Sequence, residues 1–574
     1  MQNPQIHSRW WPILGLLIGL GLALHPLWRQ TFQVVPGGLG DTRLVHFSLE
    51  HGTRYLLGVE GHRSLWDPPI FYPASGVAAY TDTLFSQVPF YAPFRFLGLS
   101  PLEAYQFWLV LIFGLNFSAG WLFFRRSLGL DALPATAGAF LFAFGSARMA
   151  RIGHPQLLPA FFILLAAAAL VGMLREGADR RSRRKWIALF LFATVLQAYT
   201  AFYPLFFLAY LLGWMGLVAL FNSTIRSRLW GFLRSEASWI LGGSVVAALA
   251  LMPLALQYLH TAETLGSRPW SSHLKYIPRP LGWFLMGPDN WLYGDLQSPD
   301  SWLIREGGAA YGRSVQSNGW GLVTTLCVGI GFLGYRRIAW VRCLVMASVL
   351  AIFATTLWPG ELTVWRLVYE YIPGASAVRA VGRLGLLLLL PASVGLALFW
   401  QKRWPRQGGW TGSGPWLLLL GLLVAEQVHD PPTFKTEEAR WRVSKVVEQI
   451  TPDCRAFFVS TLSRRPERTI HEDAMWAALE TGVPTINGRY GNFPPGWGMF
   501  WVNRRAKELC RRDEIELRLR RWAGQHELPV SEICWIEMGL PRRLAERIPL
   551  APDDFPEASG CEGDQTVGSG TPKR

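Results

Sequence analysis

Asp41 closes the run Pro36-Gly37-Gly38-Leu39-Gly40, just beyond the first apolar segment of the chain. A carboxylate there can take a proton from an attacking hydroxyl. The glycines allow positive φ and a tight return, which would bring the acid back toward a membrane surface. The alternative is that Asp41 only caps a helix starting near Thr42. Asp82, in Thr81-Asp82-Thr83, is a second candidate acid. It could equally cap the amphipathic stretch Leu84-Phe85-x-x-Val88-Pro89-Phe90. His154 can both donate and accept a proton, although Gly153-His154-Pro155 also reads as a turn. Four arginines could meet a phosphate. Arg148 and Arg151 precede His154, with interfacial snorkelling as their alternative. Arg379 and Arg383 are four apart before Leu384, so on a helix they share a face at the mouth of a span. An arginine entering a span is a functional hypothesis by default. No pair of acids has metal-ligand spacing with a histidine. No metal ligand is assigned and no cofactor is certain, though room is left for a divalent metal.

The elements that would position these residues are membrane spans. The chain has 574 residues, is 51% hydrophobic and contains 28 Trp and 34 Phe. Runs long enough to cross a bilayer, about 20 residues each, recur along it. Eleven spans are expected, at 11–28, 103–124, 133–147, 155–174, 186–203, 205–221, 237–258, 319–334, 343–357, 384–400 and 415–429. The first lacks a small-x-small cleavage site and reads as a retained span. Net charge is +15, but residues 431–574 carry only 22 basic against 21 acidic residues. The excess lies in loops between spans, which argues against a nucleic-acid partner. With the N-terminus in the cytoplasm, the inner segments hold 18 Lys and Arg in 66 residues, and the outer loops 15 in 167. That asymmetry follows the positive-inside rule and puts residues 431–574 outside.

Inner loops are short, whereas the outer loops 29–102 and 259–318 are long, and long loops in a bundle are usually functional. The working face is therefore the outer one. Asp67 before Pro68 reads as turn chemistry. Glu426, ending the last span, is expected to be a buried partner for an arginine. The fold class is a membrane all-α bundle of about 11 transmembrane helices with long outer loops (1–430). A small C-terminal periplasmic α/β domain (431–552) and a disordered tail (553–574) follow. Cys454, Cys510, Cys534 and Cys561 lie in the outer part, where disulfides are permitted, with three pairings open. No P-loop, GxGxxG, CxxC pair or Ser-His-Asp order appears.

Several stretches together resemble the bacterial polytopic proteins of the GT-C glycosyltransferase superfamily. They are Gly40-Asp41, Trp66-Asp67-Pro68-x-x-Phe71-Tyr72-Pro73, Thr81-Asp82 and Gly153-His154-x-Gln156. The Arg379-to-Arg383 run into Leu384-Gly385-Leu386 and Ile486-Asn487-Gly488-Arg489-Tyr490-Gly491-Asn492-Phe493-Pro494-Pro495 complete the set. The resemblance spans nearly the whole chain. It implies a sugar passed from a polyprenyl-phosphate sugar to an acceptor on the outer face of the inner membrane, with the first-loop acid as base. Many members carry two adjacent acids there; this chain has Gly40 before a lone Asp41, which leaves metal dependence open. The partners implied are a polyprenyl-phosphate sugar, membrane lipid and a glycan, lipid or protein acceptor.

The rival class is a non-catalytic transporter or envelope-assembly scaffold. A transporter should place polar residues at mid-membrane and show paired halves with broken helices, and neither is evident. The charge pattern yields a first test. Cysteines introduced into 175–185 or 222–236 should label only from the cytoplasmic side, and those in 431–574 only from outside. Labelling of 431–574 from the cytoplasm would overturn the topology.

Overall fold

The computed structural model describes residues 10–62, 64–307, 310–312, 314–404, 410–461, 469–499, 508–539 and 546–548. The expected tail beyond 553 lies outside these. The chain folds as two compact units, residues 1–49 with 82–435, and residues 50–81 with 436–574.

In the first unit the eleven apolar segments are mostly helical, but 11–28, 133–147 and 186–203 each cross a break between two helices. Five helices are long and apolar enough to cross a membrane among the described residues: Pro101–Ser127, Pro155–Met173, Phe202–Leu220, Ser223–Leu265 and Val381–Arg403. Four more apolar helices are shorter: Trp10–Ala23, Leu322–Gly334, Ala339–Ala354 and Gly414–Ala425. Local signals set several ends. Ser100 accepts from the Glu103 N–H while Glu103 reaches back to the Ser100 N–H, and Pro101 follows. This capping box starts the Pro101–Leu122 helix. Leu384–Arg403 is buried on every side from Leu384 to Trp400, as expected of a helix apolar all round. It packs against Leu322–Gly334 and Ala132–Phe144. Gly331 and Gly395 permit that approach, since a side chain on Gly331 would overlap the Gly395 carbonyl. The 43-residue Ser223–Leu265 helix is the opposite case, with only 6% of its apolar window buried.

Glu426 is buried, but its partner is a helix end rather than an arginine. Its carboxylate accepts from the N–H of Val323 (2.9 Å) and the N–H and hydroxyl of Thr324 (2.8 Å each). The Tyr293 hydroxyl donates to it at 2.7 Å. The Leu322–Gly334 helix leaves those N–H groups without intrahelical partners, and its dipole favours an anion there. Gly321, at φ +95°, leaves space for the carboxylate.

The second unit is built from two distant parts of the chain. Strand β3 (Ala456–Ser460) pairs in parallel with β4 (Ile533–Glu537), which pairs antiparallel with β5 (Glu546–Ile548). Helices Thr436–Val447 and Ile470–Thr481 pack together, the latter also against β3. Cys454 and Cys534 form a disulfide, and Cys510 is also disulfide-bonded. Cys561 lies outside the described residues. Cys327 and Cys343 are free and buried.

The first-loop segment around Phe71 completes this unit. The N–H of Phe71 donates to the Asn487 carbonyl, and that of Thr485 to the Pro69 carbonyl. The Phe71 ring lies 5.2 Å from Trp497 and 6.1 Å from Phe493. A side chain on Gly488 would overlap that ring. The Asn487 side chain bridges both backbone groups of Val459. The Trp66–Pro73 and Ile486–Pro495 stretches are thus two halves of one structural joint. Asp67 accepts from the Gly76 N–H and holds a turn.

His51 and His62 meet Nδ1 to Nδ1 at 2.7 Å, both buried. Burial foremost, with the neighbouring imidazole, pushes His51 down to about 3; burial and then Arg54 push His62 to about 4. Unfolded, each would bind a proton near 6.5. Stability from keeping them neutral is therefore complete above pH 6.5 and is lost as pH falls toward 4. The loss at pH 5 should be about 2 kcal/mol per imidazole. Thermal unfolding followed by fluorescence should show a midpoint that falls between pH 7 and pH 5. A double His51→Leu, His62→Leu variant should flatten that slope. A wild-type midpoint independent of pH over this range would overturn the account.

Candidate active site

Asp41 is set by a chain of constraints in the first unit. The first apolar helix ends at Ala23, and a short helix, His25–Arg29, turns the chain. Strand β1 (Val34–Pro36) then pairs antiparallel with β2 (Thr433–Lys435), and the Gly37 N–H donates to the Pro432 carbonyl at 2.7 Å. Gly37 has φ +109°, where a side chain would overlap Thr42, so only glycine turns the chain here. A helix follows at once, Asp41–Leu56. The Leu44 N–H bonds to the Gly40 carbonyl, so Gly40 holds the cap position and Asp41 is the first helical residue. Its charge is favoured there by the helix dipole.

Asp41 Oδ2 lies 3.4 Å from His154 Nε2, with both side chains about one-third exposed (39% and 32%). Burial of the ring, then Arg383, lowers His154 to about 4 against the opposing pull of Asp41. The imidazole is therefore neutral at pH 7 and can offer an N–H to the carboxylate without quenching its charge. Asp82 Oδ1 accepts from the Phe202 N–H at 2.9 Å. It supplies from a distant loop the acceptor that the first turn of the Phe202–Leu220 helix needs. Burial raises its pKa, opposed by the Phe202 N–H and Arg383. Arg383 is thus the cation that both His154 and Asp82 face.

Arg379 and Arg383 do not share a helical face. Val378 and Ala380 have ψ 73° and 74°, and a 3₁₀ turn, Val381–Arg383, precedes the helix at Leu384. Each guanidinium instead stacks on its own ring, Arg383 over Tyr203 at 4.3 Å and Arg379 over Tyr276 at 4.9 Å. The Ala380 N–H donates to the Tyr203 hydroxyl. Arg268, from the 259–318 loop, belongs to the same group: burial and then Arg379 lower its pKa, and both tyrosines act on it. Arg268, Tyr203 and Tyr276 were not legible as site residues. Arg268 and Tyr276 lie in the long 259–318 loop, and no local spacing tells which of its residues turn inward.

Arg148 and Arg151 are buried, and their N–H groups go mainly to backbone carbonyls rather than to solvent. Arg148 donates to the carbonyls of Phe142 and Leu158. Its remaining nitrogen faces a crevice of about 20 Å³, shared with Tyr203 and Arg383, room for a single water. Arg151 donates to the carbonyls of Ala147 (2.7 Å), Ser317 (2.6 Å) and Gly382 (3.3 Å), and to Asn318 Oδ1 (2.7 Å). Burial lowers each guanidinium to about 9. These two arginines hold the site together from beneath; the expectation that they meet a phosphate is corrected accordingly.

Among the described residues no three His, Cys, Asp or Glu side chains come together. Asp41 faces an imidazole and Asp82 faces a helix N–H and an arginine. A divalent cation needs several oxygen or nitrogen ligands around one point, and these side chains do not form such a set.

No protein-family model matches the chain, and no curated protein is similar to it. Solved structures are. The apo oligosaccharyltransferase of Archaeoglobus fulgidus aligns at TM-score 0.51 and 12% identity, over 92% of this chain and 69% of that one. The chain thus shares the fold of that oligosaccharyltransferase. At that identity the likeness concerns the fold alone. The archaeal oligosaccharyltransferase AglB of A. fulgidus, in complex with an inhibitory peptide and a dolichol-phosphate, aligns at 0.49 and 12% identity, over 94% and 70%. The arabinofuranosyltransferase AftD from Mycobacteria aligns at 0.43 and 15%, over 80% of this chain; the chain spans only 30% of that protein's length.

The Asp82 cap can be tested directly. Asp82→Ala should lower stability by about 1 kcal/mol, because the Phe202 N–H loses its acceptor. Asp82→Asn keeps an oxygen there and should unfold like the wild type. Equal thermal midpoints for Asp82→Ala and wild type would overturn the capping role.

Proposed function

We propose that the chain is a membrane glycosyltransferase that moves a sugar from a polyprenyl-phosphate-linked donor to an acceptor hydroxyl or amide on the outer face of a bacterial inner membrane. The observation that carries this reading is the Asp41–His154 pair beside Arg383. A carboxylate held at a helix start meets a neutral imidazole, which in turn feels the charge of Arg383. Those are the parts that sugar transfer from a lipid phosphate requires.

In this mechanism the acceptor O–H or N–H approaches Asp41, whose carboxylate takes its proton as the heteroatom attacks the anomeric carbon. The bond from that carbon to the phosphate oxygen breaks. The polyprenyl phosphate leaves with the electron pair, its charge met by Arg383 and Arg379. His154 orients the Asp41 carboxylate through its N–H. Asp82 keeps Arg383 in place by facing it, and Arg151 fixes the backbone one residue before Arg383. A donor that carries its own leaving group needs no nucleotide site, consistent with the lack of phosphate-binding glycine motifs.

Two observations support the outer face. The inner segments are the basic ones, and the second unit contains the Cys454–Cys534 disulfide, a bond that persists in oxidising compartments. Against a transporter, the charged site residues lie at helix starts and in the turns between helices, not at mid-helix.

Asp41→Asn tests the assignment. The amide keeps the shape and the approach to His154 but cannot act as a base. Transfer in a lipid-linked donor assay should fall by ~10²–10⁴-fold with an unchanged thermal midpoint. Wild-type turnover by purified Asp41→Asn protein would make Asp41 structural and remove the centre of the proposal.

A further inference from the structure

The far end of the central helix carries a second charged cleft. Leu384–Arg403 has 20 residues, and at 1.5 Å per residue it runs about 30 Å, the thickness of a bilayer core. Arg383 stands just before its first turn, and Lys402 and Arg403 close its last. The two ends are therefore a membrane's thickness apart. Helix Leu322–Gly334 packs alongside and ends at the same level, where the Lys402 ammonium donates to the Gly334 carbonyl at 3.2 Å. Gly334 leaves room for the lysine stem, whose Cδ would lie 3.0 Å from a side chain there. A cleft of about 290 Å³ lies between the two helix ends. Ile330, Leu333 and Phe399 line it with apolar surface, and Lys402 and Arg403 with charge.

Charge and shape together say what fits. Lys402 and Arg403 are exposed, and the Gly334 carbonyl takes only one of the three donors of the ammonium. The sequence holds no Asp or Glu from 322 to 342 or from 384 to 425, so neither wall can receive the ammonium of a zwitterionic headgroup. The carboxylate of Asp131 accepts from Gln401, which does not line the cleft. Arg336, Arg337 and Arg342 follow in the next turn of the chain and add to the same positive field. On the apolar side, Leu322, Leu326, Ile330 and Leu333 are exposed and spaced by four, four and three, which makes one stripe along the helix. That stripe ends in the cleft. Snorkelling accounts for basic residues at a helix end, but it requires no cleft between two helices.

We propose that this cleft binds the headgroup phosphate of an anionic phospholipid in the leaflet opposite the candidate site, with an acyl chain along the Leu322–Leu333 stripe. Basic pockets between spans are suited to such headgroups. The site holds no reacting group and does not rest on the transferase reading.

The test is lipid retention by the purified full chain. The protein is delipidated in a neutral detergent, titrated with phosphatidylglycerol or phosphatidylcholine of matched chains, and read by native mass spectrometry. The wild type should retain one phosphatidylglycerol and hold it at least about tenfold more tightly than phosphatidylcholine, the worth of one charge-assisted contact. Lys402→Gln with Arg403→Gln should bring the two lipids within about twofold. Lys402→Arg with Arg403→Lys should keep the preference, which guards against a misfolded glutamine variant. Arg181→Gln with Lys185→Gln removes the same charge from the 175–185 segment and should also keep it. Excess inorganic phosphate should leave the lipid bound. Equal wild-type affinities for the two lipids, or a preference that survives the Lys402 and Arg403 glutamine pair, would overturn the proposal. An equal loss in the Arg181 and Lys185 pair would overturn it in favour of diffuse surface charge. Displacement by inorganic phosphate would overturn it in favour of a site for a soluble anion.

Discussion

The site depends on one buried guanidinium. Arg151 ties the turn after the third apolar helix to the Ser314–Asn318 segment and to the entrance of the central Leu384–Arg403 helix, through backbone oxygens and the Asn318 side chain. Taking a guanidinium out of water is costly, and carbonyl dipoles on several sides offset that cost. Glycine makes the approach feasible. A side chain on Gly385 would overlap Asn318, and one on Gly382 would overlap the Val315 carbonyl. His154 follows three residues after Arg151, and Arg383 directly after Gly382. The spacing of the imidazole and the cation thus follows from a knot of backbone hydrogen bonds that itself touches no ligand.

Charge is distributed on a simple plan. Three acids of the first unit serve helix starts: Glu426 at Leu322–Gly334, Asp82 at Phe202–Leu220, and Asp179 accepting from Ser182 at Arg180–Ala198. Asp41 lies in the first turn of its own helix. Arg379 and Arg383 are held over tyrosine rings, and Arg148 and Arg151 by carbonyls. Aromatic faces fix arginines without cancelling their charge, whereas close carboxylate partners would. A surface built this way keeps its positive potential while remaining ordered.

What the sequence disclosed follows from range. Helices announced themselves by length and apolarity, and the Ser100–Glu103 box and the Gly37–Asp41 turn are local signals written in neighbouring residues. Asp41 could be singled out because its position relies on the turn just before it. The partnership with His154 joins residues 113 apart, and no spacing rule reaches that far. The helical reading of Arg379 and Arg383 failed because Val378 and Ala380 bend the chain, a choice made by Tyr203 and Tyr276 from elsewhere. Glu426 was legible as buried but not as to its partner, since a helix N-terminus and an arginine attract a carboxylate alike. The likeness between Trp66–Pro73 and Ile486–Pro495 as linked motifs was visible, but their joint around Phe71 became apparent only in three dimensions.

The joint around Phe71 also fixes an order of events during biosynthesis. Residues 50–81 leave the ribosome early, yet Asn487, Trp497 and strand β3, against which they fold, arrive only after residues 82–435 have been made and threaded through the bilayer. Until then an aromatic-rich stretch must wait without its partners, exposed to proteases and to aggregation. A segment made later therefore completes one made earlier. A late stop codon would leave the opening loop unfinished, so premature termination would be sensed at the far end of the molecule from where it occurs.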